Sequence, residues 1–430
     1  MTAEAPANVN RLCPAPVEEL SAPHDAGVCD DAISVSSFRP EIAAILSLAR
    51  VFSKQSKCAQ EMYAPIDWQF FHEAVSYNGL IPIVAAHLRS CNCLNAPASV
   101  RAEILQADDY LIRHRFALVG ELFKLQNLLD EAGVPFVCFK GPTLAEPIYG
   151  DLALRQFADL DILVEKNLVS KVHDILLREG FEPAKSRLGR SPDLPVYLWV
   201  NHEQEFVRGP IRIDLHWNLS SRYVFPIAAA DLAKNTTSCR VLGRELPCFS
   251  PELQLIILCT HGFQSFWSRL TYVMDICQFI AVRKNLDWRK VQSLAMRSRT
   301  LPLVRLALML ADQLLGVNVP EDVRAHLILG GDADLKILAA EIRERLNYIS
   351  NIQYSDEVSA HKLRFQMAAK KEFRDRAELV LRGIFIPTLK DWRALPLPGR
   401  LFWCYYPMRP LRLLLETARR KFKLGRPRET

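Results

Sequence analysis

Residues 155–164 read RQFADLDILV. Asp159 and Asp161 sit one residue apart in an otherwise apolar run, and carboxylates there are costly to desolvate unless something compensates. Side chains alternate faces along a strand. A strand over 157–164 therefore points both aspartates one way and Leu160 and Ile162 the other, into a core. With no basic residue between them, the two charges repel. A divalent cation makes the arrangement favourable, and magnesium is the hard, oxygen-binding choice that also takes phosphates.

Working outward, VPFVCFKG (134–141) reads as a short strand ending in a turn. PTLAEPIYG (142–150) reads as a short helix with Pro142 in its first turn. KNLVSKVHDILLREG (166–180) is a helix with Leu168, Val172, Ile175 and Leu176 on one face and Gly180 at its end. EQEFVRGPIRIDLHW (203–217) reads as a hairpin turning at Gly209-Pro210, and SCRVLGRELPCF (238–249) as another turning at Gly243.

IRIDLHW puts a third acid, Asp214, in an apolar alternating strand. If 211–217 lies beside 157–164, Asp214 joins the pair. Three acids on adjacent strands can hold two magnesium ions, a set suited to in-line phosphoryl or nucleotidyl transfer. His216 falls on the same face as Asp214. The FKG turn offers a phosphate cradle: Gly141 admits close backbone approach, and the following helix N-terminus favours anions. Lys140 and Arg155 add positive charge. The plainer readings are a solvated strand end for the aspartates, a surface lysine, and an Arg155–Asp159 pair. His202 and Glu203 start the preceding strand, and His261 and Asp275 lie on later helices from which they could approach the site.

The 430 residues suggest two to three compact units, half apolar and about a quarter charged, with a net charge of +6. That mild charge is no strong nucleic-acid signature. Eleven scattered cysteines without a CxxC pair read as reduced, mostly buried thiols in a cytoplasmic protein. No signal peptide and no membrane-spanning run is visible. Residues 1–36, rich in Pro, Ala and Ser, are expected to be disordered. A helical segment follows over 37–133, with candidate helices at 39–53, 67–90 and 98–132; Leu118, Leu122, Leu125 and Leu129 mark one face of the last. The α/β core spans 134–249. A helical domain over 250–408 has candidate helices at 251–262, 266–283, 287–298, 301–316, 320–329, 334–350 and 356–383. The tail, 409–430, has eight Arg/Lys against two Glu. Its Phe422 and Leu424 suggest weak contact with an anionic membrane surface.

The order strand–KG–helix–R-x-x-x-D-x-D–strand, then I-D-L-H-W, resembles the uncharacterised nucleotidyltransferase family of the polymerase-β-like superfamily. KGPTLAEPIYGD, HGFQSFWSRLTYVMDI (261–276), RGIFIP and MRPLRLL are similar to it as well. The resemblance implies an α+β fold, with a small mixed sheet between N- and C-terminal helical segments. It implies Asp159, Asp161 and Asp214 as metal ligands, with Asp214 also a candidate base, and Gly141 at the phosphate turn. The activity implied is magnesium-dependent transfer of a nucleotide from an NTP to an acceptor the sequence does not identify. Pro142 departs from the superfamily's Gly or Ser and has no N–H for a phosphate. That departure keeps a non-catalytic nucleotide- or protein-binding member as the first alternative. A D-x-D glycosyltransferase is the second, though it needs a βαβ nucleotide-binding unit ahead of the motif.

Overall fold

Apolar runs punctuated by glycine and proline dominate between 134 and 249, and the strands form there. The computed structural model describes residues 38–53, 65–90, 95–184, 194–219, 232, 234–330, 333–348, 365–368, 370 and 373–424. The disorder expected over 1–36, the start of the 356–383 candidate helix and residues 425–430 lie outside the described residues.

Strands β1 (Phe136–Cys138), β2 (Leu160–Val164), β3 (Glu182–Pro183), β4 (Glu203–Arg208) and β5 (Ile211–His216) form one mixed sheet in the order β1-β2-β5-β4-β3. β2 runs antiparallel to β1 and parallel to β5, with Asp161 opposite Asp214. β2 is buried along its whole length because the core lies on both faces of this central strand. It begins at Leu160, so Asp159 precedes the ladder instead of lying within a 157–164 strand. The β4–β5 hairpin turns where expected, at Gly209 (φ +56°) and Pro210. β6 (Thr236–Val241) and β7 (Arg244–Phe249) make a separate two-stranded sheet. Leu242 (φ +46°) and Gly243 (φ +80°) join them in the doubly left-handed turn that suits strand twist.

Among the described residues, four helices precede the sheet: α1 (Pro40–Ser53), α2 (Trp68–Tyr77), α3 (Ile81–Ser90) and α4 (Ala98–Glu131). The single helix expected over 67–90 is two. Gly79 adopts φ +69°, and Asn78 caps α2 while its side-chain oxygen accepts from Leu270 N at 2.8 Å. The α4 leucines 118, 122, 125 and 129 pack on the sheet as the spacing requires. α5 (Pro142–Tyr149) follows β1. α6 (Val169–Arg178) follows β2 and buries Val169, Val172, Ile175 and Leu176, with Leu168 partly buried against the same core. α7 (Leu194–Val200) precedes β4 and escaped the sequence pattern.

Beyond Ser250 come α8 (Pro251–Gln264), α9 (Leu270–Val282), α10 (Trp288–Arg297), α11 (Leu301–Leu315) and α12 (Ala333–Leu346). α9 starts four residues later than expected because Phe266 and Trp267 both have positive φ, which ends α8 in a turn. The 320–329 segment is one α turn, Glu321–Val323, running into a π-type stretch, Arg324–Leu329. α13 (Phe373–Phe385), α14 (Leu389–Ala394) and α15 (Tyr405–Leu424) complete the chain. Residues 409–424 of the basic tail are helical.

Among the described residues a small apolar cluster joins Val196 to Phe402 and Tyr405, and two larger cores result. One lies between the sheet and α4 and α6. The other is mainly helical, but includes Phe139, Leu144, Ile148, Leu163 and Phe249 from the α/β segment. The described cysteines are free thiols, most of them buried. No described helix is long and apolar enough to cross a membrane.

Candidate active site

The parallel pairing of β2 with β5 does what the alternation suggested. It sets Asp161 beside Asp214, and His216 two residues on faces the same way. One carboxylate oxygen from each aspartate and one imidazole nitrogen all lie within 4.8 Å of one another. This is the one such group among the described residues able to hold a metal ion. Asp159 is not one of the three. It sits one residue before β2, close enough for the Asp161 charge to act on it.

Asp161 is not left uncompensated. Lys140 Nζ donates to its Oδ1 at 2.9 Å, and His216 Nε2 lies 3.2 Å from the same oxygen. Lys140, read from the sequence as positive charge at the FKG turn, is brought to Asp161 by chain topology from 21 residues away. Burial opposes the Asp161 charge, but Lys140 and His216 outweigh it and hold the group far below the usual carboxylate range. Burial likewise opposes the Lys140 ammonium, and Asp161 outweighs it, raising the lysine. The other two acids carry the strain. Burial, then the Asp161 charge, pushes Asp159 up to about 6. Burial, then Asp161 and Asp159, pushes Asp214 up to about 7.

Gly141 forms the cap of α5 with φ +57° and ψ −125°, a conformation reserved for glycine. A Cβ there would lie 3.3 Å from the Asp159 carbonyl oxygen. The close approach that demands glycine is therefore made first by the chain itself. Thr143 pins the turn, its Oγ1 donating within 3.0 Å of the carbonyls of Cys138 and Lys140. Gln254 on α8 donates to the Phe139 carbonyl at 2.7 Å. Neither residue stood out in the sequence, because a threonine or glutamine bound to backbone has no motif.

Arg155 does not pair with Asp159. Its Nε and Nη2 clasp both oxygens of Asp275 on α9 at 2.8–3.1 Å, and Tyr149 donates to Asp275 at 2.8 Å. Burial opposes the guanidinium charge, and Asp275 more than restores it. Arg155 thus ties the loop before β2 to the C-terminal helices. His261, on α8, is held neutral near the site: burial first, then Lys140, lowers it to about 3. Glu203, paired with His216 across β4 and β5, brings Oε2 to 3.3 Å from His216 Nδ1. The strand start that carries His202 and Glu203 was the signal for it.

A mixed sheet that sets acids side by side on parallel strands, next to a glycine turn opening a helix, defines a nucleotidyltransferase-type domain. The chain belongs to the family described as "Uncharacterised nucleotidyltransferase", whose model matches residues 64–316, more than half its length. No curated protein and no solved structure matches it.

Proposed function

We propose that the protein is a cytoplasmic, divalent-metal-dependent nucleotidyltransferase that moves a nucleotide from an NTP to an acceptor. The observation that carries this reading is the convergence of Asp161, Asp214 and His216 on adjacent parallel strands. The donor set fits a divalent cation: two carboxylates supply oxygen, and His216 supplies nitrogen while Glu203 faces its other ring nitrogen. Glu203 Oε2 lies 3.3 Å from that nitrogen without hydrogen-bond geometry. Asp161 and Asp214 would hold the ion, with Asp159 completing the acidic site toward a second. Magnesium is the expected metal; when bound it would draw charge from the phosphates and lower the pKa of an attacking hydroxyl.

The chain's own groups have distinct tasks. Asp214 would be either a ligand of the cation or, without a cation on it, the base that accepts the acceptor's proton. Lys140 donates to one oxygen of Asp161; were that oxygen to hold a cation, the ammonium would be free to meet a phosphate. Gly141 shapes the turn that presents Lys140. Arg155, clasped by Asp275, positions the aspartate strand and is not proposed as a phosphate ligand.

A second reading has its own support. Lys140 already neutralises Asp161, and Pro142, buried at the first position of α5, donates no N–H. Both suit a nucleotide- or protein-binding module without catalysis. The glycosyltransferase alternative loses ground, since the described residues before β1 are helical and contain no βαβ unit. The deciding experiment incubates the protein with each labelled NTP and magnesium or manganese and scores label transfer to protein or cell extract. Transfer lost in Asp214→Asn supports the enzyme; NTP binding without transfer supports the module.

A further inference from the structure

The last 26 residues hold eight Lys/Arg against two Glu, a net +6 equal to that of the whole chain. The other 404 residues therefore balance to zero. This concentrated charge lies on α15 and just past it, and α15 is strongly two-faced. Leu411, Leu414 and Leu415 are 61 %, 67 % and 60 % exposed, and Pro407 and Ala418 extend the same row at helical spacing. The opposite face is anchored: Arg409 and Arg412 donate to buried Asp391 at 2.8 and 2.6 Å. Arg409 also reaches the Gly383 carbonyl at 2.7 Å, fixing α15 against α13, which exposes Phe373, Leu381 and Phe385. Trp403, just before α15, is exposed too.

Exposed leucines in a row would ordinarily be covered. The charge says by what. RRKFK (419–423) continues the helix directly from the apolar row, and the sequence adds Arg426 and Arg428. A protein partner of ordinary composition has no reason to match an aliphatic stripe followed in the sequence by six cations. An anionic bilayer does: acyl chains take the leucines, headgroup phosphates take the cations, and a tryptophan suits the boundary. We propose that α15, with the exposed face of α13, docks the protein in the plane of an anionic lipid surface. The contact is monotopic, as no described helix is long and apolar enough to cross. This inference is independent of the acid site and survives if the protein proves non-catalytic.

The test is vesicle co-sedimentation of the full chain. Phosphatidylcholine vesicles with roughly one-third phosphatidylglycerol should bind it about tenfold or more tighter than phosphatidylcholine alone, and salt should weaken the difference. Combined Leu411→Gln, Leu414→Gln and Leu415→Gln keeps the charge and removes the apolar row; vesicle affinity should fall about tenfold with the melting temperature unchanged. Combined Arg419→Gln, Arg420→Gln and Lys421→Gln should abolish the preference for anionic vesicles. Equal binding to both vesicle types overturns the proposal, as does full binding by the leucine variant. A lipid-free dimer that the leucine variant dissociates overturns it in favour of a second copy. Tighter binding to duplex RNA than to vesicles, lost only in the charge variant, overturns it in favour of nucleic acid.

Discussion

Asp161 and Asp214 face each other across one strand pair, yet the structure treats them oppositely, and mutation should show it. Lys140 and His216 engage Asp161 and not Asp214. Asp214→Asn should therefore spare the fold and cut metal-dependent label transfer about 100-fold, the scale of losing one preorganised electrostatic group. The sign of its stability effect follows from the shift. Asp214 sits at about 7 in the folded protein and about 3.9 when unfolded, so the folded state holds the extra proton in between. Wild-type stability then declines as pH rises through that window. In chelator, Asp214→Asn should be the more stable form at pH 8, and melting curves from pH 4 to 8 should show the difference growing. Lys140→Met should do the reverse, costing up to about 3–5 kcal/mol by leaving the buried Asp161 carboxylate with His216 alone beside it. Millimolar magnesium should restore part of that loss if cation and lysine share the oxygen; a melting temperature indifferent to magnesium and manganese would sink the idea. Gly141→Ala should cost about 1–3 kcal/mol whether or not nucleotide binds, because the strain lies in φ +57°.

Elements held by local pattern were legible; those set by distant partners were not. The D-x-D strand, both hairpins and the α4 leucine face follow from alternation, turn residues and helical spacing. The break at Asn78-Gly79 was missed because the apolar spacing runs straight through it, although Asn78 caps α2 locally, its backbone and side-chain N–H groups donating to the Ala74 carbonyl. The late start of α9 hides in two aromatic residues at positive φ, which no propensity favours. At the site, Asp161, Asp214 and His216 were readable from their spacing and one assumed strand pairing. The Lys140–Asp161 bridge and the Arg155–Asp275 clasp were not, since both join segments through tertiary packing. The clasp carries a prediction at this scale. Asp275→Ala strands a buried guanidinium and should cost about 3–5 kcal/mol, with Asp275→Asn costing less because it keeps hydrogen-bond acceptors. Urea unfolding of the two variants checks the order.

Across the whole molecule, the α/β segment and the helices behind it share their interior. Phe139, Leu144, Ile148 and Phe249 pack into the mainly helical core, not only against the sheet. The carbonyls of Phe139 and Ile148 are satisfied by Gln254 and Gln278, and Tyr149 and Arg155 by Asp275, all from beyond residue 250. Cutting the chain at 249 would expose that apolar surface, leave a buried cation without its carboxylate and orphan two backbone acceptors. A lost charge partner alone costs about 3–5 kcal/mol, comparable with the ~5–15 kcal/mol that holds a whole domain. A fragment of residues 134–249, although it holds every proposed catalytic group, should therefore not fold by itself. Far-UV circular dichroism and dye binding should show a collapsed, dye-binding state, while the full chain melts with the sheet and the C-terminal helices in one transition. Native near-UV signal and cooperative melting in the fragment would show that the nucleotidyltransferase unit is autonomous and that the clasp on Asp275 is dispensable to it.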